Sequence, residues 1–182
     1  MNATTPTPLY RQLLSARFDD LPPTVRALHE RTGFHRYRGK VEVERGHGVI
    51  ARLCAWATRL PREGRGMIEV EIDSATQGER WARIVAGRAM RSRLWADDTL
   101  LCERLGLVTF AFRLDVAPLG AGHAVVWHVA KVRALGVPLP KRWFEGVGAR
   151  EYERDRRYRF DVFATLPGVG RLVHYRGWLD VD

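Results

Sequence analysis

Cysteine and long apolar runs are both scarce in this chain of 182 residues. The two cysteines, Cys54 and Cys102, lie far apart and form no CxxC pair, which argues against a disulfide framework and a cysteine zinc site. Arginine breaks every apolar run well short of the roughly 20 residues that a membrane-spanning helix needs. The polar opening Met1–Pro8 carries no secretory signal. We therefore expect a cytoplasmic protein with reduced thiols and no transmembrane segment.

Motifs of the common catalytic and cofactor sites are also missing. The glycines near Gly46 and Gly168 lack the GxGxxG spacing and the strand–turn–helix setting of a dinucleotide loop. No GxSxG nucleophile motif occurs, and the six histidines form no HxH or HxxxH pair. We therefore predict neither a metal site nor a cofactor.

Lysine is nearly absent, since 27 of the 30 basic residues are arginine, and 21 acidic residues leave a net charge of +9. Arginine binds phosphate and carboxylate in a bidentate manner, so a nucleic acid or an anionic lipid is one hypothesis for the partner. The arginines are spread along the chain rather than bunched, which favours solvated side chains in an arginine-rich composition. We expect nucleic acid to be a less favoured partner than a small molecule.

The first third of the chain predicts helices around one strand. Pro8 starts a first helix, and Pro22 separates it from a second, in which Val25 and Leu28 face inward. Residues 37–44 then alternate between apolar or small and charged side chains, which predicts a half-buried strand.

A third helix is predicted over residues 48–60. Its apolar side chains fall at helical spacing, which favours a face packed on the core. That face consists of Ile50, Leu53, Cys54, Ala57 and Leu60. The alternative is a helix on a membrane surface, since Arg52 and Arg59 flank the apolar face and Trp56 lies off the stripe.

Beyond Gly66 the chain consists of alternating segments with a turn signal every 8–12 residues, which predicts an antiparallel meander rather than βαβ units. An apolar fraction of 46% is enough for a real core. The predicted fold is therefore α+β in a single domain, 1–182. N-terminal helices with one strand, over about 8–60, pack on a strongly curved antiparallel sheet, over about 66–180, that is half-barrel or barrel-like.

Two residues of the predicted sheet are candidates for acid–base chemistry. Glu103 shares strand parity with Leu101 and Leu105, so if that face is buried the carboxylate needs a partner or has a raised pKa. A reversed parity, or a simple ion pair with arginine, is the alternative. His128 follows Val126 on an apolar face, where a lone histidine is more often a hydrogen-bonded core residue than a catalyst.

Arginines on consecutive predicted strands form a further candidate site. They are Arg83, Arg91, Arg93, Arg104 and Arg113. On one sheet face they would hold an anion, although a solvated outer face is favoured. Tyr175, close to Gly177 in the last strand, suits a barrel mouth that binds a ligand or ordinary strand-end packing. The candidate ligand-binding residues are therefore Arg91, Arg93, Glu103, Arg104, His128 and Tyr175, and no catalytic residue is assigned.

Several short stretches match a family in their order along the chain. They are Leu9–Leu14, Phe18–Pro22, Tyr37–Gly39, Ser92–Leu94, Glu103–Gly106, Gly136–Pro140, Phe160–Val162, Leu166–Pro167 and Tyr175–Leu179. Together they resemble a bacterial domain-of-unknown-function family, found alone or fused C-terminal to saccharopine dehydrogenase-like NAD(P)-binding domains. The resemblance implies a self-contained domain and transfers no catalytic residue. Since this chain lacks the dinucleotide-binding half, the resemblance implies that any redox role needs a separate oxidoreductase partner.

Three functions are compatible with these features. The favoured one is a binding module for a small hydrophobic or amphipathic ligand with an acidic head met by arginine, working with an NAD(P)-dependent oxidoreductase. The alternative is an isomerase- or cyclase-type enzyme in which Glu103 or His128 is the acid/base. The third is a surface for nucleic acid or anionic membranes. The sequence does not determine the oligomeric state.

Overall fold

Strands dominate the chain, because most of it alternates between apolar and polar side chains. The computed structural model describes residues 7–120 and 122–181. Most of the polar opening segment, residues 1–6, therefore lies outside the described residues, as do residues 121 and 182. The helices are α1 (Leu9–Leu14), α2 (Pro23–Glu30) and α3 (Val49–Ala57), with 3₁₀ helices at Ser15–Asp20 and Lys141–Phe144.

The strands follow the predicted order along the chain. They are β1 (Gly33–Arg45), β2 (Gly64–Ala75), β3 (Gly78–Val85), β4 (Arg88–Asp97), β5 (Leu100–Leu105), β6 (Val108–Leu119), β7 (Gly122–Ala134), β8 (Val137–Leu139), β9 (Gly146–Arg154), β10 (Arg157–Leu166) and β11 (Gly170–Asp180). Antiparallel pairing links β1 through β6 in sequence order.

Ten of these strands close into a barrel. The first strand, β1, pairs with the last, β11, and the sheet continues through β10 and β9 to β7. Pairing of β7 with β6 completes the ring, and the short β8 is added to the end of β7. The predicted antiparallel, barrel-like sheet is confirmed, and it is a closed barrel with short helices rather than a half-barrel under a helical layer. Because β6 and β7 pair with each other, neither is left as an unpaired edge of the sheet.

The interior is filled by the side chains that strand alternation places on one face. Ile68, Val70 and Ile72 on β2 are buried, as are Phe110 and Phe112 on β6. The outer face carries charged pairs across strands, such as Arg36 with Glu71 and Arg38 with Glu69. The alternation read from the sequence therefore separates the core from the outer wall.

The two ends of the barrel carry different helices. At one end α1 and α2 are buried against the barrel through side chains that include Tyr10, Val25 and Leu28, the last two as predicted. Thr24 at this end donates its backbone N–H to Glu153 at 2.9 Å. At the other end lies α3, where the carbonyl of Ala57 accepts a hydrogen bond from Leu107, in the β5–β6 turn, at 3.1 Å.

The predicted inward face of the third helix is right only in part, because Cys54, Ala57 and Leu60 are half-buried but Ile50 and Leu53 are exposed. The buried residues of α3 are Ala51 and Ala55, whereas Ile50 is 56% exposed and Leu53 is 62% exposed. The physical reason is the close approach of α3 to the chain that leads into it. A Cβ placed on Gly46 would lie 3.1 Å from the Cβ of Ala51, so only small side chains fit on the inward face.

Gly39→Ala is expected to weaken barrel closure. A Cβ at this position would lie 1.7 Å from the carbonyl oxygen of Trp178 on the paired strand. We expect the forced separation of β1 and β11 to lower the free energy of unfolding by about 1–3 kcal/mol. Gly66→Ala is the matched control, because no atom lies within 4 Å of its added carbon, and it should be neutral or slightly stabilising. Equal denaturation midpoints for the two variants would contradict this.

Candidate functional site

A cavity of about 360 Å³ lies within the barrel. Apolar side chains from strands all around the barrel make most of its wall, among them Ile68, Phe112, Trp127, Phe160 and Val173. Pockets for small molecules usually measure about 300–1,000 Å³. The cavity therefore has the size and the surface of a site for a small apolar molecule.

At one end of the cavity the wall is made by α3 and the second 3₁₀ helix. Leu53, Cys54 and Ala57 of α3 line it, as does Phe144, whose ring lies edge-on to Phe110 with centroids 6.1 Å apart. At this end the cavity is therefore bounded by short helices as well as by the ends of the strands.

Five charged or phenolic side chains interrupt the apolar lining, and we call them the polar cluster. They are Arg83, Glu103, Glu151, Tyr158 and Tyr175. The guanidinium of Arg83 donates from Nη2 to Glu103 Oε1 at 3.2 Å and from Nη1 to Ser92 Oγ at 3.0 Å. These side chains come from three neighbouring strands, β3, β4 and β5, so the sheet register brings them together. The side chains of Arg83 and Glu103 are only 11% and 6% exposed.

The other carboxylate of the polar cluster, Glu151, is held by the N-terminal helices. Tyr10 on α1 donates its hydroxyl to Glu151 Oε1 at 3.2 Å, and His29 Nε2 on α2 lies 2.5 Å from Glu151 Oε2. The rings of Tyr10 and His29 stack with centroids 3.5 Å apart. Both carboxylate oxygens of Glu151 therefore have protein partners, and its position depends on α1 and α2.

Burial sets the protonation of the phenols. It raises the pKa of Tyr175 to about 12 and that of Tyr158 well above its usual value. For Arg83, burial is the largest effect and disfavours the charge, but the combined attraction of Glu103 and of the phenols of Tyr175, Tyr10 and Tyr158 outweighs it, so the pKa of Arg83 is raised. At neutral pH the polar cluster therefore offers neutral hydroxyls, which both donate and accept hydrogen bonds, beside a charged guanidinium.

The predicted candidate residues divide between the two faces of the wall. Glu103 and Tyr175 are buried and line the cavity. The other four are exposed on the outer face and do not line it: Arg91, Arg93, Arg104 and His128. Strand parity is the reason, because their neighbours Ser92 and Trp127 point inward. These four lie outside the site described here, and the apolar face expected around His128 is the outer wall.

The outer arginines do come together across strands. Arg93 on β4 is in register with Arg80 on β3 and with Arg104 on β5. All three side chains are exposed. This row is a solvated surface, separated from the cavity by the thickness of the sheet.

Sequence reasoning grouped Arg83 with the arginines of a solvated face, and it named neither Glu151 nor Tyr158 among the candidate ligand-binding residues. Arg83 shares parity with Trp81 and Val85, and this was the available signal for an inward arginine. Glu151 alternates with Ala149 in the same way. Tyr10 and His29, which hold Glu151, carry no such signal, because only the packing of the helices on the barrel brings them there.

Among residues 7–120 and 122–181, no group of three or more His, Cys, Asp or Glu side chains could hold a metal ion. In the same part of the chain, no helix has the length and apolar character to cross a membrane.

A closed antiparallel barrel around an apolar cavity is compatible with a ligand-binding module. The profile of the family described as "Domain of unknown function (DUF4166)" matches residues 21–179, and the chain belongs to this family. The match spans α2 and nearly all of the barrel, and α1 with Tyr10 lies before it. Searches of curated proteins and of solved structures return no match.

Glu103→Gln is expected to destabilise the protein by about 3 kcal/mol, because it leaves the buried charge of Arg83 without its counter-ion. Glu42→Gln is the matched control. Its carboxylate also accepts from arginines, Arg65 and Arg176, but on the outer wall, where ion pairs contribute little. Chemical denaturation of both variants is the measurement. If Glu103→Gln lowered the free energy of unfolding no more than Glu42→Gln does, the result would contradict the buried ion pair.

Alkaline pH is expected to destabilise the protein partly through Tyr175. The folded state raises the pKa of Tyr175 from 10.0 to about 12, so it holds the proton more tightly than the unfolded chain. Its contribution to stability is fully present below pH 10 and is lost as pH rises towards 12. Tyr175→Phe should therefore show a shallower fall in unfolding free energy over this range. Parallel pH profiles for wild type and variant would refute the assignment.

Proposed function

We propose that the protein binds a small apolar or amphipathic molecule inside the barrel. The observation that carries this proposal is the cavity of about 360 Å³, whose apolar wall is interrupted by the polar cluster. Apolar surface in such a cavity favours an apolar ligand body, and a few convergent polar groups orient one end of it.

The charges of the polar cluster favour an uncharged head group over the acidic head expected from the sequence. Among the described residues that line the cavity, Arg83 is the one cation, and it is already bonded to Glu103. Glu151 adds a second carboxylate. An acidic head would meet two carboxylates at low dielectric, whereas a hydroxyl or amide can accept from Arg83 and donate to a carboxylate.

Decanol, decanoate and decylamine form a test series with one chain and three head groups. We expect decanol to bind most tightly, measured by calorimetry or by displacement of the apolar dye N-phenyl-1-naphthylamine. Ala149→Leu should weaken decanol binding by about tenfold or more, because the larger side chain occupies cavity space. Ala149 is buried and lines the cavity.

Arg150→Leu is the matched control for that variant, since it adds the same side chain one residue along β9 but on the exposed face. Its affinity for decanol should equal that of the wild type. Equal losses in the two variants, or no binding of decanol or the dye by the wild type, would refute binding in the cavity. Tighter binding of decanoate would refute the uncharged head.

An isomerase- or cyclase-type enzyme is the second candidate function. The observation that favours it is a carboxylate, Glu103, buried at the wall of an apolar cavity with one guanidinium partner. A folded Glu103→Gln protein that keeps its affinity for the ligand but loses turnover supports the enzyme. His128, on the outer face, has no part in this proposal.

An NAD(P)-dependent oxidoreductase is the proposed working partner. The resemblance to fused proteins supports this, because fusion joins domains that act on a common ligand. Size-exclusion chromatography with such an oxidoreductase from the same genome tests it. A shared peak is the expected result, and separate elution with and without ligand refutes the partnership.

A further inference from the structure

Large apolar side chains lie exposed at the end of the barrel that carries α3. Trp56 is 70% exposed, and Ile50 and Leu53 on the same helix are more than half exposed. Single exposed apolar residues are common on soluble proteins, but a contiguous group on one helix marks an interaction surface.

Two neighbouring turns extend this surface. The backbone N–H of Leu107 donates to Ala57 at the end of α3, and the N–H of Leu135 donates to the carbonyl of Leu107 at 2.9 Å. Both leucines are exposed, as is Val137 beyond the β7–β8 turn. We call the combined surface the apolar cap: Ile50, Leu53, Trp56, Leu107, Leu135 and Val137.

The chain around the apolar cap is basic. Residues 45–62 contain four arginines and neither Asp nor Glu. Arg52, Arg59 and Arg62 are exposed, and Arg88 joins them around a surface hollow that Trp56, Leu107 and one carboxylate, Glu63, also line. Apolar side chains ringed by arginine are complementary to a bilayer that carries negative head groups above its acyl chains.

The apolar cap and the cavity share a wall. Leu53 is exposed on the outside of α3 and also lines the cavity, together with Cys54 and Ala57. A small molecule that passed beside α3 would therefore move directly between the apolar cap and the cavity.

We propose that the apolar cap docks on an anionic lipid bilayer, and that the apolar ligand exchanges between bilayer and cavity beside α3. The exchange step rests on the function proposed above, whereas docking does not. Tryptophan sits favourably at the membrane interface, the aliphatic side chains reach the acyl region, and the arginines meet the lipid phosphates. An anionic bilayer supplies the interface, the acyl region and the phosphates together.

Flotation of the ligand-free protein with lipid vesicles tests docking. We expect binding to vesicles of phosphatidylcholine with phosphatidylglycerol, at least about tenfold stronger than to phosphatidylcholine alone and weakened by salt. Trp56→Glu should lower this binding by about tenfold or more, because the apolar contact is lost and a like charge is added. Phe34→Glu is the matched control, since Phe34 is 59% exposed at the start of β1, the opposite end of the barrel from α3.

The charged part of the surface has its own pair of variants. Arg52→Glu should weaken binding to the anionic vesicles about as much as Trp56→Glu, whereas Arg113→Glu, on the outer wall of β6, should not. Equal losses in Trp56→Glu and Phe34→Glu overturn the proposal. The absence of vesicle binding by the wild type also overturns it. One such outcome is a wild-type protein that binds no vesicles but forms dimers, with Trp56→Glu monomeric.

A transfer assay separates this proposal from the proposed function. Dye-loaded protein is mixed with each vesicle type, and the rate of dye loss is followed by fluorescence. Faster transfer to anionic vesicles, slowed in Trp56→Glu, is the expected result. Dye binding without vesicle binding refutes docking and leaves the cavity function intact, whereas vesicle binding by a protein that binds no dye refutes the cavity function and leaves docking intact. Docking with transfer rates equal for both vesicle types refutes exchange beside α3.

Discussion

Closure of the sheet is the constraint on which the other features depend. The first strand of the barrel pairs with the last, and β6 pairs with β7, so every strand of the ring has two partners. In a closed sheet each residue points either into the interior or out to solvent, and a one-residue slip would exchange the two faces along a whole strand. The close approach of β1 and β11, which closes the barrel, leaves no room for a side chain at Gly39, because an added Cβ would meet the carbonyl oxygen of Trp178.

The barrel interior is mostly apolar, so the few charged side chains inside it need protein partners. Arg83 is stabilised there by Glu103, by Ser92 and by the ring of Trp81, whose centroid lies 4.9 Å from the guanidinium carbon. These protein partners matter because water cannot screen or solvate the buried pair as it does the pairs on the outer wall. Glu151 is held in the same way by Tyr10 and His29. The helices α1 and α2 therefore also fix one side of the candidate site. At the opposite end of the barrel, α3 lines the cavity and carries an exposed apolar surface.

Much of this could be predicted from the sequence, because alternation is a local property. The strands, the antiparallel order and the inward position of Glu103 follow from residues two apart in the chain. Tyr175 was a candidate for its place near Gly177 in the last strand, and it shares parity with Val173 and Leu179. Arg91, Arg93 and Arg104 were candidates because they lie opposite the apolar parity on neighbouring strands, and His128 because its neighbours are apolar. The inward parity of Ser92 and Trp127 places all four on the outer wall.

The sequence by itself determined which side chains share a face of each strand, and hence the composition of the barrel interior. Tertiary structure alone decided that the sheet closes, that Tyr10 and His29 meet Glu151 from helices more than a hundred residues away, and that α3 buries alanines and exposes Ile50. The physical reason is distance along the chain. Periodicity reports the two sides of one element, whereas the neighbour that covers a side depends on pairing and close approach between segments far apart in sequence.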